Sequence, residues 1–171
     1  MTQSASAQIV TFRVGDDLFA ADIHSVERVL RYIAPTSIPN VPAWIQGVVD
    51  YQGRVVPVID LRHRFEMPAA TNMDAARILV FNVAGEWIAA TVDVVLDVTA
   101  LDAADLIAPP PFFRGIAGEY LRGLVRRGER LVIVLDAARL LSTSERLVLD
   151  QSTADADAPV LLALGEGAGR A

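Results

Sequence analysis

The chain repeats itself, and that repeat constrains its fold more than any other feature. A shift of 69 residues places Ile9, Phe12 and Val14 on Ile78, Phe81 and Val83. The same shift places Leu18-Phe19-Ala20-Ala21 on Trp87-Ile88-Ala89-Ala90, and Ile23, Val26 and Val29 on Val92, Val95 and Val98, with no gap. A shift of 76 places Ile45-Gln46-Gly47-Val48-Val49 on Leu121-Arg122-Gly123-Leu124-Val125. It also places the run from Arg54 to Asp60 on the run from Arg130 to Asp136. The seven extra residues of the second shift fit a longer Pro-rich loop in the second half. About four elements recur in one order, which predicts two similar β-subdomains over residues 9–65 and 78–141. Four or five short strands suffice to close a small barrel without exposed edges. A first or last strand that crosses over to pair in the other half fits the same pattern. The groove between the halves is the default place for a partner.

The stretch from Gly47 to Phe65 carries the strongest local signals. Gly47-Val48-Val49 and Val55-Val56-Pro57-Val58-Ile59 flank the polar turn from Asp50 to Arg54, the pattern of a hairpin. Pro57 has no N–H for a ladder, so its strand is expected at an edge or bulged there. Leu61 and Phe65 lie four apart and predict one helical turn. Upstream, strands are expected at Ile9–Val14 and Leu18–Ala21. The run from Ile23 to Leu30 suits a helix or a strand equally. A Pro-rich loop covers Thr36–Pro42, and one helical turn is expected at Ala43–Gln46. Downstream, a loop from Pro68 to Ala75 leads to a strand at Arg77–Val83 and a long apolar run from Trp87 to Val98. Leu101 to Phe113 is irregular. A second hairpin joins Leu121–Val125 to Leu131–Leu135 around Arg126-Arg127-Gly128-Glu129. A short helix follows at Ala137–Leu141, and a C-terminal turn or helix at Ser144–Leu149. Residues 1–7 read as a flexible polar arm and 151–171 as a flexible tail, leaving 8–150 as the folded domain.

Composition narrows the classes. Of 171 residues, 53% are hydrophobic and 21% charged, which supplies a packed core and excludes global disorder. The longest uncharged stretch, Tyr32 to Val49, is broken by Pro35, Pro39 and Pro42, so no membrane span is expected. The opening MTQSASAQ has no basic or apolar signal region, so no secretory signal is expected. It contains no cysteine, which excludes disulfides and thiolate metal sites and points to the cytoplasm. The net charge of −6 opposes nucleic-acid binding.

Candidate chemistry is sparse. The repeat makes Asp60 and Asp136 equivalent, the arrangement of a shared-proton carboxylate pair. Leu61-Arg62 and Ala137-Ala138 follow them, however, where that chemistry uses Thr or Ser and then Gly. Both aspartates read instead as caps of the short helix that follows each strand. His24 and His63 are the only two histidines, and they lack ligand spacing. Gly165, Gly167 and Gly169 lack the strand and helix that a phosphate cradle requires. Arg122, Arg126, Arg127 and Arg130 cluster in the second hairpin, where a solvated turn or a protein contact is the simpler reading. No metal, cofactor or catalytic set is expected.

One set of segments carries a resemblance. GVVDYQGRVVPVIDLR, Gly47 to Arg62, is similar to the central motif of the CheW-like coupling proteins of bacterial chemosensory systems. FRVGDDLFAADI, PAWIQG, VDVVLDV and GLVRRGERLVIVLDAARLL support it in order and spacing, over residues 8 to 150. The resemblance implies a mainly β fold of two five-stranded, SH3-like barrels around a shared groove, with a few short helices. It implies a non-catalytic adaptor between a chemoreceptor's cytoplasmic tip and the regulatory domain of a CheA-type histidine kinase. A receptor helix would enter a groove lined by Val26, Val29, Gly47, Val48, Val95 and Val98. Arg28, Gln52, Arg62 and Gly123 would serve kinase binding or activation. Such a protein is cytoplasmic and joins membrane receptor arrays through its partners. Two departures stand out: Gln52 replaces an Arg, and Arg28 replaces a Glu. Arg28 is therefore expected to face solvent or to meet Asp50. A coupling protein of a non-motility pathway is the alternative reading. An enzyme and a nucleic-acid-binding barrel are the competing classes.

Overall fold

The computed structural model describes residues 6–70, 72–109 and 120–140. The expected arm up to residue 5, residues 110–113 of the irregular Leu101–Phe113 stretch, the turn or helix at Ser144–Leu149 and the C-terminal tail lie outside them. Among the described residues ten strands form, with one turn of α-helix. The hairpin β1 (Ser6–Val14) and β2 (Asp17–Asp22) comes first. Its first strand begins inside the segment that the sequence assigns to the arm. After it, β3 spans Val26–Arg31, β4 Ile45–Tyr51 and β5 Arg54–Ile59, followed by α1, Leu61–Arg64. The second half contributes β6 (Arg77–Val83), β7 (Glu86–Val92), β8 (Val94–Asp102), β9 (Leu121–Arg127) and β10 (Arg130–Leu135).

The repeat is exact at the level of register, but the halves exchange strands. One sheet has the order β8-β1-β2-β10-β9 and the other β3-β6-β7-β5-β4. Each half lends its third strand to the first hairpin of the other. Phe12 faces Phe19 and, 69 residues on, Phe81 faces Ile88. Gly47 faces Val58 and Gly123 faces Val134. Residues 9–65 and 78–141 are thus two repeats but not two sheets. The crossing is local in origin. The Asp22 carboxylate accepts the His24 N–H and caps a 3₁₀ turn at Ile23–Ser25, which carries the chain from β2 to the other sheet. The run Ile23–Leu30, ambiguous in sequence, resolves into this turn and β3.

Among the described residues neither sheet closes into the barrel expected from sequence. The outer strands are β3 and β4 in one and β8 and β9 in the other. A single bridge, Thr36 to Val48, links the coil after β3 to β4, and Ile107 to Leu124 does the same in the other sheet. The flanking coils contain Pro35, Pro39 and Pro42 in one case and Pro109 in the other. Prolines lack the donors to extend a ladder.

Three further expectations change. The helical turn at Ala43–Gln46 is absent, because Ile45 and Gln46 already belong to β4. The Trp87–Val98 run divides at Asp93, whose N–H donates to the Arg13 carbonyl at 2.9 Å. Pro57 lies neither on an edge strand nor at a bulge: β5 is interior, between β7 and β4. Its effect appears in the parallel ladder. The β10–β2 ladder runs over four pairs, Val132↔Leu18 to Leu135↔Ala21. The β5–β7 ladder keeps only Val58↔Ala89 and Ile59↔Ala90. Proline at the position of Ile133 removes the donor that would continue it.

The apolar patterning follows from two-sided burial. Ile78, Leu79, Val80 and Phe81 are all buried. Ile78 and Val80 enter the core of their own curled sheet, while Leu79 and Phe81 enter the core between the sheets. A strand covered on both faces reads as a continuous apolar run. The inter-sheet core also holds Phe12, Phe19, Ile45, Ile59, Leu121 and Leu135, and the first sheet has its own cluster around Ile9, Leu101 and Val134.

Candidate functional site

The four groove valines expected from the repeat occupy equivalent places on the outer strands β3 and β8. Val26 lies opposite Phe81, and Val95 opposite Phe12. Both are half-buried against the inter-sheet core. Val29 lies opposite Leu79, and Val98 opposite Val10, which shares the face of Phe12 two residues along β1. Val29 is 42% exposed and Val98 50% exposed. A β-bulge stands in the same register in each strand, at Glu27 and at Leu96. Bulges on outer strands discourage edge-to-edge pairing. Val48 is half-buried and pairs with Pro57 on β5.

Gly47 has a different part from the one expected. It is buried, and the backbone carbonyl of Thr36 fills the space that a Cβ would need. The close approach that this glycine permits is within the chain, not to a partner helix. Gly123 repeats the arrangement, with the Ile107 carbonyl 2.7 Å from a would-be Cβ. Each glycine admits the single bridge that ties coil to sheet.

The remaining expected residues separate. Arg28 is exposed on β3, and Asp50 sits on β4 at the opposite edge of the sheet, so the pairing considered for them is not formed. Gln52 occupies a two-residue turn at φ 51° beside Gly53 at φ 76°, the turn type with two left-handed residues. Its Nε2 donates to the Tyr51 hydroxyl at 3.3 Å. Arg62 is engaged internally. Its Nη2 pairs with the Asp93 carboxylate and its Nη1 donates to the Pro68 carbonyl at 2.6 Å. The same carboxylate accepts the Gly15 N–H at 2.7 Å. Arg62 and Asp93 therefore tie α1 and its following loop to the β1–β2 turn.

Asp60 and Asp136 act as caps, as expected. Asp60 accepts the His63 N–H at 3.2 Å and Asp136 the Ala138 N–H at 3.0 Å. Three of the hairpin arginines are held by the chain itself. Arg127 reaches the Ala100 carbonyl, Arg130 the Asp16 carbonyl, and Arg122 lies 3.8 Å from Asp22. Among the described residues no cluster of His, Asp or Glu could hold a metal ion, and no helix is long and apolar enough to cross a membrane. Sequence reading missed Arg64, buried between the rings of Trp44 and Tyr120. The signal was present: the 76-residue shift sets Trp44 on Tyr120.

The fold and site define a β-sheet scaffold whose distinctive surface is apolar and bilaterally repeated. Comparison with known proteins gives its family. A family model described as the CheW-like domain matches residues 8–145. The chain is 32% identical over 142 residues to the chemotaxis protein CheW of Treponema pallidum, covering 81% of this chain and 84% of that protein. It is 33% identical over 138 residues to Protein FrzA of Myxococcus xanthus, covering 79% and 85%. The crystal structure of the scaffolding protein TtCheW from Thermoanaerobacter tengcongensis matches with a TM-score of 0.75 at 25% identity, over 84% of this chain and 92% of that one. The chain belongs to the CheW-like family and is a non-catalytic scaffold of chemotaxis signalling.

Proposed function

We propose that the protein couples the cytoplasmic tip of a chemoreceptor to the regulatory domain of a CheA-type histidine kinase, and that it works in the cytoplasm. The observation that carries the receptor half is the repeated pair of outer strands, with Val29 and Val98 half-exposed opposite Leu79 and Val10. A helix laid on Val26, Val29, Val95 and Val98 buries apolar side chains without needing backbone pairing, the helix-in-groove mode, while Val48 stands apart on β4 at the other edge of the β3 sheet. Gly47 supports that surface from beneath instead of touching the helix. On the kinase side, Arg28 and Gln52 are available for contact, while Arg62 and Gly123 act within the chain, holding the loop at Pro68 and the coil at Ile107.

Titration calorimetry with a receptor-tip helical hairpin and with the isolated kinase regulatory domain tests both halves. Saturable binding to each, with no competition between them, is the expected result. Absence of binding to either by the folded protein overturns the coupling assignment.

A further inference from the structure

Arg64 is a charged side chain only 6% exposed. Its guanidinium carbon lies 4.1 Å from the Trp44 ring and 4.3 Å from the Tyr120 ring. Its Nη2 donates to the Leu140 carbonyl at 3.0 Å. Trp44 precedes β4 in one sheet, and Tyr120 precedes β9 in the other. The repeat makes these aromatics equivalent, and the backbone treats them alike. The Trp44 carbonyl accepts the Asp60 N–H at 2.8 Å, and the Tyr120 carbonyl accepts the Asp136 N–H at 2.9 Å. Under the same shift, Arg64 corresponds to Leu140. Each repeat therefore supplies one aromatic ring, and the space between the rings takes one side chain. The first repeat fills it with Arg64, and the second answers with the Leu140 backbone.

We propose that Arg64 is a positioning residue that fixes one sheet against the other and so sets the shape of the apolar surface between β3 and β8. The consequence for partner binding rests on the groove reading above. The chemistry suits the task. A leucine in this space would pack but would accept many rotations. A guanidinium between two rings is held by the ring faces and by a directed hydrogen bond, so it favours one arrangement. Phe65 continues the contact across the boundary, with ring centroids 5.4 Å from Phe19 and 6.2 Å from Tyr120. Val26 and Val95 pack on the cluster that contains Tyr120 and Leu140, so a shift between the sheets reaches the groove directly.

The test uses the absence of native cysteines. Spin labels on Asp50→Cys and Arg126→Cys, exposed and equivalent positions on opposite sheets, report the distance between sheets by pulsed electron resonance. The parent should give one narrow distribution. Arg64→Leu should keep cooperative thermal unfolding yet broaden or shift that distribution, and lower receptor-tip affinity about tenfold. Arg64→Lys should restore much of both. If Arg64→Leu does not fold, Trp44→Leu and Tyr120→Leu carry the same measurement, since each removes one ring face. A folded variant with the parent's narrow distribution overturns the proposal. The distance measurement needs no receptor, so failure of the parent to bind the tip condemns the groove reading alone.

Discussion

The carbonyl of Thr36 occupies the space that a Cβ on Gly47 would need. Gly47 also holds a φ of 154°, outside the range that side chains prefer. Substitution must push the Pro35–Thr36 coil away and break the bridge to Val48, whose two backbone hydrogen bonds measure 2.8 and 2.9 Å. Gly47→Ala and Gly123→Ala should each cost about 2–3 kcal/mol, as overpacking does. Urea denaturation checks this. A loss below about 0.5 kcal/mol would mean that the coil yields freely. Reduced partner binding by a Gly47 variant would then follow from lost structure and not from a blocked contact.

The β4–β5 turn can be improved. Gln52 sits at φ 51°, a left-handed conformation that Asn or Gly adopts with less strain. Gln52→Asn should stabilise the protein by about 0.5–1 kcal/mol, with no change in the slope of ΔG against urea. An unchanged or lower midpoint would show that the Gln52 bond to the Tyr51 hydroxyl outweighs the backbone strain.

Much of this fold was legible because it rests on neighbours in sequence. The hairpins, the buried run Ile78–Phe81, and the caps Asp60 and Asp136 follow from turn chemistry, two-sided burial and free N–H groups. The sequence allows the strand exchange without requiring it. Whether β3 pairs in its own half or the other is decided by the direction in which a three-residue turn sends the chain. The division at Asp93 was hidden for a similar reason. Its carboxylate is needed by Gly15 and Arg62, both remote in sequence. In sequence Gly47 reads as an opening for a partner, because the coil that covers it is eleven residues away and carries no periodic signal. In the site, the valines were readable as a repeated set, whereas Arg62 and Arg64 look alike in sequence and differ only in what surrounds them.

Arg62 and Asp93 make a testable unit. Their side chains are 18% and 16% exposed, so each charge depends on the other more than at an open surface. Removing one partner leaves the other poorly solvated. Arg62→Met and Asp93→Asn should each cost about 2 kcal/mol. A double-mutant cycle should recover a coupling of about 1 kcal/mol or more. Additive losses in urea denaturation would show that the two contribute independently. Proteolysis should also speed up within residues 66–75, the loop that Arg62 holds through the Pro68 carbonyl.

The groove valines divide by burial, and the division predicts two kinds of mutant. Val26 and Val95 pack on the inter-sheet core, so a glutamate at either buries a charge and should unfold much of the population at moderate temperature. Val29 and Val98 are half-exposed, so a glutamate there meets water in the free protein and should shift stability by no more than about 0.5 kcal/mol. Docking of an apolar helix reverses that advantage, because the charge must then be dehydrated. Val29→Glu and Val98→Glu should each weaken receptor-tip binding about tenfold or more, with nearly normal thermal midpoints. The repeat leaves open whether one helix touches both strands or each strand holds its own. Calorimetry separates these arrangements. One shared helix gives a stoichiometry of one, and both single mutants lower its affinity. Two separate sites would instead make each mutant lose half the stoichiometry and leave the remaining affinity intact. Full affinity and full stoichiometry in the folded double mutant would place the receptor elsewhere.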